Sequence, residues 1–140
     1  MNDNITSYDT VRGNIPVAPL DAAINIADNI GRLLVLVNNS GSPAVSLPSD
    51  QADIPLGYFA QQGTEGTDLM EVGFLDRNQS VNLWLKGTCV PGDKLVLADP
   101  ATAGDEGKIT VGTSGFIIGI AEEAGEDGQA VRVRPLGINL

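Results

Sequence analysis

Ser80-Val81-Asn82-Leu83-Trp84-Leu85-Lys86 alternates along its whole length, with Val81, Leu83 and Leu85 on one face and Asn82, Trp84 and Lys86 on the other. That period of two defines a half-buried β-strand. Ala130-Val131-Arg132-Val133-Arg134 repeats the pattern with two valines inward and two arginines outward, and Pro135 then blocks further central pairing. Leu33 to Val37 is a continuous apolar run of five between Gly31 and Asn38-Asn39-Ser40-Gly41, too short for a helix, which predicts a strand buried on both faces. Further strands are expected at about residues 56–62, 69–75, 94–98, 108–111 and 116–121. The 17 glycines and 8 prolines fall between these short apolar stretches as turns.

Helix is scarce. Over residues 21–30, Asp21 is placed to cap a short helix carrying Ile24, Ala27 and Ile30 on one stripe, while Ile24 and Ile26 alternate equally well in a strand. Residues 1–19 are polar, with isolated Ile5, Tyr8, Val11 and Ile15 before Pro16 and Pro19, and are read as an extended N-terminal arm ordered by contact with something else. The expected architecture is therefore all-β: a small β-sandwich or partly open β-barrel over residues 20–140, with the arm at 1–19 and at most one short helix. A faint internal echo links Gln79-Ser80-Val81-Asn82-Leu83 with Gln129-Ala130-Val131-Arg132-Val133, and residues 56–66 with 118–128; shared turn grammar accounts for it as well as duplication does.

Composition narrows the function. With 140 residues, 42% hydrophobic and 19% charged, the chain fits one folded domain. Its net charge of -10 argues against nucleic-acid and anionic-membrane partners. No apolar run reaches membrane-span length, and the polar start Met1-Asn2-Asp3-Asn4 lacks the features of a signal peptide. The absence of histidine removes the commonest general base and metal ligand. The single cysteine, Cys89, excludes an intrachain disulfide and is read as a core or interface filler rather than a nucleophile.

The acidic pairs Asp105-Glu106 and Glu122-Glu123, with Glu126-Asp127, lack calcium-loop spacing and sit beside glycines, as solvated turn carboxylates do. Gly57, Gly63 and Gly66 lack the lysine of a phosphate loop. Catalytic, cofactor and metal-ligating residues are accordingly expected to be none. Trp84 faces away from Val81, Leu83 and Leu85. Either another strand layer covers it or it meets a partner, with Arg132 and Arg134 in the same contact set.

Read in order, Lys86-Gly87-Thr88-Cys89-Val90-Pro91-Gly92-Asp93-Lys94-Leu95-Val96-Leu97-Ala98, Gly107-Lys108-Ile109-Thr110, Gly115-Phe116-Ile117-Ile118-Gly119-Ile120-Ala121 and Gln129-Ala130-Val131-Arg132-Val133 resemble the capsid decoration, or cement, proteins of tailed bacteriophages. The likeness spans roughly the last 60 residues well and Leu33 to Leu85 loosely. It implies a small β-rich, non-enzymatic protein, frequently a homotrimer, that is made in the host cytoplasm and seated on the outer capsid surface. There it would bind the major capsid protein and stabilise the expanded shell. It also implies a docking arm, on which Ile5, Tyr8, Val11, Arg12 and Ile15 are the contact residues. The alternative is a carbohydrate-binding or adhesive β module using Tyr58, Phe59 and Trp84; an enzyme built on carboxylate pairs is the weaker rival.

Overall fold

The computed structural model describes residues 14–20, 22–63 and 70–140, and the chain is nearly all β. Its strands are β1 (Asn14–Pro19), β2 (Leu33–Asn39), β3 (Ser42–Ser46), β4 (Gly57–Gln61), β5 (Met70–Phe74), β6 (Val81–Trp84), β7 (Lys94–Leu97), β8 (Ile109–Val111), β9 (Phe116–Ala121) and β10 (Ala130–Asn139). Residues 21–30, open between helix and strand in the sequence, contain two single 3₁₀ turns at Ala22–Ile24 and Ala27–Asn29.

The first five strands form a closed barrel in the order β1-β3-β2-β4-β5, with β5 returning to β1. The last five form a sheet in the order β6-β10-β9-β7-β8. That sheet curls until its outer strands touch, where Leu85 bridges Ile109 and the Lys86 N–H donates to the Ile109 carbonyl at 2.8 Å. Both closures satisfy backbone groups that a flat sheet would leave open along its edges.

Each sheet encloses its own core. Ile24, Leu34, Val45, Phe59, Met70 and Val72 fill the barrel. Leu83, Leu85, Leu95, Ile109, Val131 and Val133 are the centre of the second core. The wall between them is made by β2 and β4. Leu34 and Phe59 point into the barrel, while the cross-strand pair Leu33 and Tyr58 packs against the second core. The continuous apolar run at Leu33 thus reflects a strand with a core on each side, as expected from its composition. The double burial covers Leu33, Leu34 and Val35 only: Leu36 points out 53% exposed, so the expectation for the whole run is corrected at its C-terminal end.

Two further expectations change. The segment Asn14–Pro19, read as part of an arm, is a barrel strand, antiparallel to β5 and parallel to β3. Pro135 does not end β10, which runs on to Asn139 with a register shift between Pro135 and Ile138. Arg132 hydrogen-bonds toward β9 through the Glu122 N–H, so alternation turns the nitrogen of Pro135 toward the β6 side, and β6 has already ended opposite Val133. The missing donor therefore costs no ladder bond.

β3 likewise has no counterpart among the expected strands. Ser40 (φ 52°) and Gly41 (φ 89°) make the two-residue turn that joins it to β2, and the Gly41 N–H donates to Asn38 Oδ1.

Candidate docking surface

The arm residues Ile5, Tyr8, Val11 and Arg12 lie outside the described residues. Ile15 sits in β1 with its backbone in register with Val72.

Trp84 is half-buried and occupied by its own chain. Its indole N–H donates to the Ile30 carbonyl at 2.7 Å, and its backbone N–H reaches Gly31 O at 3.4 Å. Gly31 holds φ +89°, and a β-carbon there would stand 3.1 Å from the indole nitrogen, so only glycine lets the ring close over this turn without strain. Residues 30–33 tie the two sheets together. The Gly31 N–H donates to Phe59 O, the Leu33 N–H donates to Gly107 O, and Arg32 Nη1 donates to the carbonyls of Gly104 and Glu106. The element against the Trp84 ring is thus a turn of its own chain rather than a further strand layer.

Arg132 and Arg134 are exposed on the outer face of the second sheet. Arg134 reaches Glu122 Oε2 at 3.4 Å and the Arg77 carbonyl at 3.3 Å. The Ser80 hydroxyl, Arg134 and the charge of Arg132 together hold the Glu122 carboxyl below its usual range. Cross-strand register sets Arg134 opposite Ile120 and Ile120 opposite Lys94, so one row crosses β10, β9 and β7. The next row sets Asn82 opposite Arg132. Beyond Lys94, Val96 pairs with Thr110 and the face runs into an open groove of about 640 Å³ that Ile54, Val96, Val111 and Phe116 line. Ile54 is 65% exposed. Sequence alternation located the two arginines; Ile120, Lys94 and the groove depend on strand order, which single-strand periodicity does not carry.

The acidic residues divide. Asp105 departs from the solvated reading: it is only 5% exposed and lies between Lys108 Nζ at 3.1 Å and Lys86 Nζ at 3.2 Å. The hydrogen bond from Lys108, helped by Lys86, outweighs burial and lowers its pKa. Glu106 and Asp127 accept backbone N–H bonds from Gly104 and Gly87. Among the described residues no three Cys, Asp or Glu side chains converge as a metal site would need. Cys89 is buried against Gly125, and burial raises its thiol pKa. Phe59 is fully buried, and Tyr58 packs over Gly73. Among the described residues no helix is long and apolar enough to cross a membrane.

No protein-family model matches the chain, and no curated protein matches its sequence. Its architecture is similar to a solved structure, the head fiber gp8.5 N base of bacteriophage phi29, with a TM-score of 0.60 at 18% identity. The match covers 91% of this chain and 96% of that one, so both sheets belong to the shared arrangement, and what the two proteins have in common at this identity is the fold.

Proposed function

We propose that the chain is a structural protein of a phage head: a decoration, or cement, protein that binds the major capsid protein on the outer surface of the shell and stabilises its expanded form. The observation that carries this reading is the likeness, over nearly the whole length of both chains, to a head fiber base. The resemblance of residues 86–133 to capsid decoration proteins points the same way from the sequence. On this reading the chain works by adhesion rather than catalysis. It is made in the host cytoplasm, assembles as a homo-oligomer with a trimer favoured, and docks through the segment preceding β1.

A sugar-binding role finds less support. Among the described residues Phe59 is in the barrel core, Tyr58 packs over Gly73 and the Trp84 indole is committed to Ile30, so these three aromatics share no open platform of the kind sugar stacking uses.

The test is stoichiometry. In purified virions of the encoding phage, quantitative mass spectrometry should find the chain at a copy number comparable with the major capsid protein. A handful of copies would move it to a vertex or the tail, and absence from the particle would overturn the proposal. Removal of residues 1–13 should then abolish attachment while the β fold persists.

A further inference from the structure

The chain has eight lysines and arginines against eighteen acids. Three of the basic side chains are engaged by groups of the chain itself: Arg32 by the Gly104 and Glu106 carbonyls, and Lys86 and Lys108 by Asp105. The other basic residues described are Lys94, Arg132 and Arg134 on the outer face of the second sheet, and Arg77 at its rim, where its carbonyl accepts from Arg134. Among the described residues, a chain that is acidic overall therefore gathers its available cations on one face, around the half-buried Ile120.

The carboxylates near that face keep their charge but are held by groups of the chain itself. Glu122 is held by Ser80 and Arg134, Glu123 accepts the Arg132 N–H, and Asp93 accepts the Val90 N–H. Lys94 and Arg132 make no side-chain hydrogen bond or ion pair among the described residues. Exposed, unpaired cations around an apolar centre are the layout of a protein contact that selects its partner by charge.

We propose that this sheet face, with Lys94 and Arg132 as its contact charges, docks on an acidic patch of the outer surface of the capsid protein. This rests on the head-protein reading above and adds the orientation. Among the described residues the other surfaces carry the excess of acids, so this face approaches an acidic surface most favourably and encounter is steered with the sheet inward.

The experiment is co-sedimentation of the full chain with heads of the encoding phage that have been emptied of DNA and stripped of this protein. Wild type, K94Q/R132Q and K94E/R132E are compared at low and high salt. Neither side chain has a hydrogen bond or ion pair among the described residues to lose, Arg132 acting on Glu122 through its charge alone, and thermal melts that match wild type establish that the variants are folded. Wild-type affinity should fall about tenfold or more from low to high salt. At low salt the charge-reversed variant should bind at least tenfold more weakly than wild type, with the neutral variant between them. Equal binding by all three would overturn the docking face and leave the head-protein reading intact. Failure of the wild-type chain to bind heads, together with its absence from virions, would overturn both. Sedimentation velocity supplies the last arm: variants that bind heads normally but lose self-association would assign the face to contacts between copies and overturn the proposal.

Discussion

Leu33 and Leu34 are consecutive residues of β2, and their side chains lie in different hydrophobic cores. Both are fully buried. A strand serving two cores makes each sheet the lid of the other, so loosening one exposes apolar surface in both. Leu33→Ala and Leu34→Ala should each lower stability by about 2–5 kcal/mol. Because the wall is shared, urea transitions followed by circular dichroism and by Trp84 fluorescence should coincide; separated midpoints would mean that the sheets unfold independently.

Tyr58 lies across Gly73 in the neighbouring strand, where an added β-carbon would come within 2.3 Å of the ring. Gly73→Ala should cost about 1–3 kcal/mol through overpacking. In a Tyr58→Ala background the same change should cost less, and a double-mutant cycle by urea denaturation reads the coupling.

Trp84→Phe keeps a ring over Gly31 but deletes the donor to the Ile30 carbonyl. The expected loss is about 0.5–1.5 kcal/mol, measured by calorimetry. Trp84→Ala also removes the ring and should cost more.

Asp105 contributes stability only while ionised. Its folded-state pKa lies below the ordinary aspartate value of 3.8, so its contribution is complete above that value and is lost as pH falls from there through the folded-state pKa. Asp105→Asn should cost about 1–2 kcal/mol at neutral pH by loss of the charged hydrogen bonds to Lys86 and Lys108. The difference from wild type should vanish in acid, which melting temperatures across the acid range will check.

Cys89 is buried, and its pKa is raised by that burial. Iodoacetamide should label it slowly in native protein and rapidly in urea; fast native labelling would show that the Cys89–Gly125 bridge opens readily.

The strands that alternate, β6 and the first half of β10, were legible because one face meets a core and the other meets water. β3 was not, because Pro43 breaks the strand pattern, although it lies one residue before the pairing of Ala44 with Ala18 begins. A partly open barrel was among the expected architectures, but that the barrel closes was hidden for a different reason. Its closure depends on a parallel and an antiparallel partner for β1, contacts far apart in sequence that no local window contains. The echo between residues 79–83 and 129–133 has a spatial counterpart, since Val81 and Leu83 pair with Val133 and Val131. At the candidate surface, alternation exposed Arg132 and Arg134 and grouped Trp84 with them, but it could not show that the indole N–H is bonded to the Ile30 carbonyl, fifty-four positions earlier in the chain. Asp105 was misread because two lysines, one nineteen positions upstream, meet it only in three dimensions.

β1 is bonded along one side to β5 and along the other to β3, and the chain enters it at Asn14. Tension applied to the preceding segment would run along the axis of that strand, so the two ladders would be loaded in shear, their hydrogen bonds resisting together rather than unzipping one after another. A strand held this way is suited to bear a mechanical load between whatever grips the N-terminal segment and the rest of the protein.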